Sequence, residues 1–362
     1  MAIRLPEHHR LLLNALMDPA SAVALSIPDW DLLLRLARQT GLLGFLTIAL
    51  DRHELMAVIP VRAANQLRSG LREAQVSQQQ ARWELNRVHW AFDDSQISFI
   101  ALKGMAYALA GLPAAEGRGL VDLDVLVAWG NLDQAEARLL DKGWQFHEMS
   151  AYDEYYYRTW SHEIPPLVHR ERHTEVDMHH GILPLTSKLK IDTNLLFADA
   201  VVGNDGKTKI LEPIDMVLHC AINLFQNNEL ADDLRDLFDL HSALLTFSQT
   251  IPEFWSALIA RGNQLGLGKP LFYGLYFSRL ILQTPIPAGL ENQLDQRPGV
   301  VARISMGLLV PAALFPLHPD AASGYARLAR FFLYVRSHWI RMPPHILLVH
   351  LVCKSYGSIT GD

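Results

Sequence analysis

Cysteine is almost missing from the chain: Cys220 and Cys353 are the two among 362 residues. They make no CxxC pair and no disulfide framework, so the chain reads as a reduced, cytoplasmic protein whose thiols act as small hydrophobes. Long apolar runs are missing as well. The greasiest stretches, residues 306–317 and 346–353, are interrupted by Pro311, Pro316 and His350. Both fall well short of the ~20 residues of a membrane helix. The opening MAIRLPEHHRLLLNAL lacks an apolar segment followed by a small-residue cleavage site, so the expectation is a soluble protein with no signal peptide and no membrane partner. Positive charge is not in excess: 32 Lys and Arg stand against 38 Asp and Glu, for a net charge of −6. That balance disfavours a protein that coats long nucleic acid. No GxxxxGK[ST], GxGxxG, GxSxG or HExxH occurs, which excludes the signatures of a P-loop, a dinucleotide fold, a serine hydrolase and a zinc protease.

What is present is enough apolar sequence to bury a large core: 50% hydrophobic residues against 19% charged. Residues 1–95 read as a helical region, with helical spacing of Trp30, Leu33, Leu34, Ala37, Leu42 and Leu43 and a break at Gly41 and Gly44. A long helix over 60–92 has Pro60 at its first turn. Residues 96–212 read as an α/β core. ISFIAL (97–102) is a strand, 105–110 a helix, VDLDVLV (121–127) a strictly alternating strand, and 131–141 a helix ending before Gly143. Short strands are expected at 144–148, 155–160, 167–169 and 174–179. From residue 213 to 362 the helical period returns, punctuated by prolines. The fold class is therefore α+β: a small mixed sheet flanked by N-terminal and C-terminal helical regions.

The chemistry concentrates on Asp122 and Asp124. Period two places both carboxylates on one strand face, about 7 Å apart along the chain. Two acids so close repel unless a cation lies between them, which suits a divalent metal; a solvated strand face is the plainer alternative. A third acid, Asp177, lies in the alternating run EVDMH (175–179). If that strand neighbours 121–127, three carboxylates converge, an arrangement used for in-line phosphoryl or nucleotidyl transfer. Upstream, Lys103 and Gly104 sit on a strand-to-helix turn, where a Gly permits close approach of a phosphate and Lys supplies charge.

The run LKGMAYALAGLPAAEGRGLVDLDVLV (102–127), with EVDMHHG (175–181) downstream, resembles the uncharacterised nucleotidyltransferase family of the DNA polymerase β-like superfamily. The pattern is a strand ending in Lys-Gly, a helix, an Arg, Asp-hydrophobic-Asp, and a later acid before a His. Lys103, Gly104, Arg118, Asp122, Asp124 and Asp177 fall on these positions, and the resemblance covers roughly residues 30–245. It implies a metal-dependent transferase that moves a nucleoside monophosphate from a nucleoside triphosphate, taken as ATP, to a hydroxyl of a small molecule or protein. Asp122, Asp124 and Asp177 would be the catalytic, Mg²⁺- or Mn²⁺-holding acids, with Asp177 helping to activate the acceptor hydroxyl. Lys103, Gly104 and Arg118 would hold the nucleotide. Gly104 is followed by Met105 where the wider superfamily has Gly-Ser, so one hydroxyl contact to the triphosphate is lost. Two other readings fit the same residues: a non-catalytic nucleotide-binding regulator, and a metal-dependent phosphohydrolase.

Other groupings carry less. His147, His162, His169, His173, His179 and His180 crowd one region without zinc-ligand spacing and read as satisfied or surface histidines. His179, on the face of Asp177, is retained as a residue that supports the metal site or touches the acceptor. Tyr152, Tyr155, Tyr156, Tyr157 and Trp160 read as core or strand-pairing aromatics, with base stacking as the functional alternative. Arg235, Asp236 and Asp239 read as an ion pair within one helix. Arg327, Arg330, Arg336, His338 and Arg341 read either as an anion clamp or as the solvated face of an amphipathic helix.

Overall fold

The structure, a computed structural model, describes residues 5–349 and Cys353. The chain enters through α1 (Glu7–Met17), α2 (Ile27–Gln39), α3 (Leu43–Arg52) and the long α4 (Val61–Ala91). Ser26 caps α2 by accepting from the Asp29 N–H, and Gly41 leaves it in a left-handed conformation (φ 65°). Gly44 is not a second break. It lies inside α3 with its Cα against the backbone of Gly117, where an added Cβ would come within 2.2 Å of the Gly117 carbonyl oxygen. That backbone-to-backbone contact seats the segment carrying Arg118 on the N-terminal helices. Small residues along α4, among them Ala63, Ala64, Gly70 and Ala74, let α3 approach it closely.

Among the described residues, seven strands form one mixed sheet: β1 (Phe99–Ala101), β2 (Asp122–Val127), β3 (Trp144–Phe146), β4 (Leu167–His169), β5 (Glu175–His179), β6 (Val201–Val202) and β7 (Lys209–Ile210). Their order is β3-β4-β5-β2-β1-β7-β6. Helix α5 (Lys103–Leu109) follows β1, α6 (Leu132–Asp141) follows β2, and α7 (Ala151–Trp160) and α8 (Thr193–Asp199) precede β4 and β6. β2 is central, antiparallel to β1 and parallel to β5, with Leu123, Val125, Leu126 and Val127 all buried. The sheet thus has covered faces on both sides, so its strands are more apolar than a half-exposed alternation.

From β7 the chain passes directly into α9 (Pro213–Ile222), a wider helical turn at Asn223–Asn227, then α10 (Leu234–Thr250), α11 (Phe254–Gln264), α12 (Gly268–Leu282), α13 (Val300–Ala313) and α14 (Gly324–Arg341). No helix among the described residues is long and apolar enough to cross a membrane.

Two expectations fail. Residues 155–160 are not a strand but the last turns of α7. Ser150 caps that helix by accepting from the Asp153 N–H at 3.1 Å, and Tyr152, Tyr155 and Tyr156 each meet the Trp160 ring edge-on. Aromatic content favours strands, but here the cap and the period outweigh it. β6 and β7, two residues each, and α8 have no counterpart in the sequence reading because such short segments carry too little period to detect.

Candidate active site

β2 and β5 run parallel with Asp124 directly opposite Asp177 and Asp122 opposite Glu175. This register brings a carboxylate oxygen from each of Asp122, Asp124 and Asp177 within 4.8 Å of the others. Such a set fits a divalent cation by an independent sign: Asp177 Oδ1 is buried and makes no hydrogen bond. A buried carboxylate oxygen without a partner is costly, and a hard cation satisfies it.

The three acids are electrostatically distinct. Asp124 is 3% exposed. Burial alone would raise its pKa, but Lys103 and then the His179 hydrogen bond hold it well below the usual carboxylate range. Lys103 Nζ reaches Asp124 Oδ1 at 2.6 Å, and His179 Nε2 donates to the same oxygen at 2.9 Å. Asp177 has no such partner: burial, then Asp124 and Glu163, push it up to about 7. Asp122, at the open edge, is raised by burial and by Asp124. Asp124 is thus a fixed anion, while Asp177 titrates near neutrality, an arrangement suited to a carboxylate that takes a proton.

Lys103 is aimed by the backbone. The Leu102 N–H extends the β1–β2 ladder by donating to the Asp124 carbonyl at 3.0 Å, and Lys103 then turns into α5 with φ 45°. A left-handed non-glycine residue costs on the order of 1 kcal/mol, retained here where the ammonium meets Asp124.

Gly104 has a packing reason to be glycine. A Cβ there would come 2.4 Å from Leu120 Cδ2 and 2.8 Å from Arg118 Nε, so α5 lies directly on the segment leading into β2. Arg118 is not a free anion hook. Its guanidinium pairs with Asp239 on α10 and packs over the Tyr107 ring, and it helps hold the pKa of Asp122 down. The ion pair expected within α10 is therefore replaced by one that spans the core. Arg235 instead donates to the Gly41 carbonyl, and Asp236 accepts from Asn223 and Asn228.

Three of the C-terminal arginines are committed too, while Arg327 is exposed. Arg330 pairs with Asp232, Arg336 donates to the Phe225 carbonyl, and Arg341 donates to the Asn227 carbonyl. α14 turns these arginines inward and exposes Leu328, Phe331, Phe332 and Trp339, the reverse of a solvated Arg face. Of the crowded histidines, His162 and His179 pack together beside Asp124, His180 packs on Trp129, and His169 packs on Trp144 at the far edge. Glu163, Tyr157 and His219 also face the acids, as the influence of Asp177 and Glu163 on Tyr157 and of Lys103 and Asp124 on His219 shows. Tyr157 belongs to the aromatic patch marked in the sequence, whereas nothing in the sequence marks Glu163 or His219, because neither belongs to a periodic run or a spaced motif.

The Asp-x-Asp strand, the Lys-Gly turn and the acid on a parallel neighbour thus meet at one place in the sheet. The chain belongs to the family of uncharacterised nucleotidyltransferases, whose model matches residues 26–283. The match extends past α10 through α12, further than the resemblance read from the motifs. No curated protein and no solved structure matches the chain. Membership supports nucleotidyl transfer as the general role and a nucleoside triphosphate as the general substrate class.

Proposed function

We propose that this nucleotidyltransferase is an active, divalent-metal-dependent enzyme that moves a nucleoside monophosphate from ATP or another nucleoside triphosphate to a hydroxyl of a small molecule or protein. The observation that carries the reading is the juxtaposition of Asp122, Asp124 and Asp177, together with a buried Asp177 Oδ1 that makes no hydrogen bond. Asp122, Asp124 and Asp177 would hold Mg²⁺ or Mn²⁺, which when bound supplies neutralisation of the triphosphate and acidification of the acceptor hydroxyl. Lys103 fixes the position and ionised state of Asp124. Arg118, locked by Asp239, contributes positive potential beside Asp122 rather than a mobile clamp. Asp177 would help take the hydroxyl proton, as the acid of the cluster whose Oδ1 has no hydrogen bond. Tyr157 and its neighbours on α7 border the acids and offer an aromatic surface for a base or acceptor. Residues 96–212 form the catalytic portion in this reading, with 1–95 and 213–362 as helical supports.

The reading is tested by following ATP labelled at its α-phosphorus with Mg²⁺ and a mixture of small-molecule and protein hydroxyl acceptors. Pyrophosphate release with label on an acceptor supports transfer. Label released as free AMP supports a phosphohydrolase, and unchanged ATP that still binds supports a nucleotide-sensing regulator.

A further inference from the structure

A second set of ligand-type side chains lies on the other side of Asp124. Donor atoms of His162, Glu163 and His179 all fall within 4.8 Å of one another. The backbone fixes them there. Residues 162–164 are laddered onto the end of β5: His180 N–H donates to the His162 carbonyl at 2.9 Å, Ile164 N–H donates to the Met178 carbonyl at 3.0 Å, and Glu163 bridges His179. The histidines are therefore preorganised rather than carried on a loose loop.

Their hydrogen bonding is incomplete. His179 donates from Nε2 to Asp124 Oδ1, and in the neutral ring that leaves Nδ1 as a lone pair. Although burial opposes it, Asp124 and Glu163 favour a positive charge here, which a bound cation would supply in place of the ring proton. That Nδ1 is buried, makes no hydrogen bond, and faces Glu163 Oε2 at 3.4 Å. His162 Nδ1 is likewise buried and without a partner. Two ring nitrogens without a hydrogen bond, beside a carboxylate, form a cluster of donor atoms that a cation can satisfy. A carboxylate behind the remote nitrogen of a histidine is the support that metal-bound imidazoles ordinarily have. Charge points the same way: Asp124, Glu163 and Asp122 share the ammonium of Lys103, and Asp177 lies in the field of Asp124 and Glu163. One divalent ion among the three aspartates leaves that surplus only partly balanced. The Glu163 side chain is 22% exposed, which gives an ion a route in.

We infer that His162, Glu163 and His179 form a second metal site, selective for a borderline first-row ion such as Zn²⁺ or Co²⁺ over Mg²⁺. Two imidazoles and one carboxylate suit such ions, whereas the all-oxygen aspartate cluster suits Mg²⁺. Three protein ligands leave an open coordination position toward the same cleft. Asp124 joins the two sites, holding His179 on one side and facing Asp177 on the other.

The test is Co²⁺ titration of the metal-depleted full chain, read by visible d–d absorption. The wild type should show the bands of a low-coordinate, imidazole-bound ion that excess Mg²⁺ does not remove. Asp122→Asn/Asp177→Asn should retain them, so failure of the nucleotidyl-transfer reading leaves this result intact. His162→Ala and Glu163→Gln should each weaken Co²⁺ binding at least about tenfold. Thermal melting without metal checks that the variants fold; if His162→Ala does not, wild type against Glu163→Gln decides. Absence of the bands in the wild type, their removal by Mg²⁺, or their loss in the aspartate variant alone overturns the inference. The first of these outcomes would mean that an imidazolium of His179, held between Asp124 and Glu163, closes the gap instead.

Discussion

Asp124 and Asp177 face each other across two parallel strands, yet one is held as an anion and the other is pushed up to about 7. The difference is set by partners: Lys103 and His179 share one oxygen of Asp124, while Asp177 Oδ1 has none.

A pH dependence follows from Asp177. Its folded pKa lies above the ordinary 3.8, so between about pH 4 and 7 the folded state keeps a proton that the unfolded chain has lost. Metal-free protein should therefore lose stability as pH rises through that window, by a few kcal/mol at most from this group. Asp177→Asn should flatten that part of the profile and be more stable than wild type at pH 8. Denaturant melts at several pH values check it; parallel profiles of the two proteins would reject it. Added Mg²⁺ or Mn²⁺ should restore the wild type at pH 8 but not the variant.

Lys103 tests the anion next door. Lys103→Met removes the closest cation from Asp124 and should cost about 1–3 kcal/mol in the metal-free state. It should also weaken binding of a nonhydrolysable triphosphate with Mg²⁺. Calorimetric titration and thermal melting measure the two effects, and unchanged values in both would detach Lys103 from the site.

The Arg118–Asp239 pair predicts non-additivity. Arg118→Met leaves Asp239, 4% exposed, as a buried charge without its partner, at a cost of about 3–5 kcal/mol. Arg118→Met/Asp239→Leu should recover most of that loss. A double variant as unstable as the sum of the singles would mean the two side chains act independently.

Gly104→Ala should destabilise by about 1–3 kcal/mol, because the new methyl meets Leu120 and an Arg118 that Asp239 prevents from moving. Chemical denaturation reads this directly. A stability equal to wild type would return Gly104 to a role in admitting nucleotide.

Local patterns made much of this legible. The alternation in 121–127 and 174–179 gave β2 and β5, and their pairing was the one assumption needed to bring Asp177 to Asp122 and Asp124. The long helix after Pro60 was legible because its small and apolar residues keep one period over many turns. What escaped was pairing at long range. Arg118 meets Asp239 across 121 positions, and no window of sequence contains both. The aromatic run of α7 misled because Tyr and Trp favour strands, while the Ser150 cap that decides the matter is a single residue. Glu163 gained its place from a bridge to His179, a contact that residue type alone does not announce.

The most direct measurement is a crystal structure grown with Mn²⁺ and a nonhydrolysable nucleoside triphosphate, with anomalous scattering locating the metal. The account predicts a Mn²⁺ peak ligated by Asp122, Asp124 and Asp177, with the triphosphate against it and Lys103 beside Asp124. A bound nucleotide with no metal at these three carboxylates would contradict it.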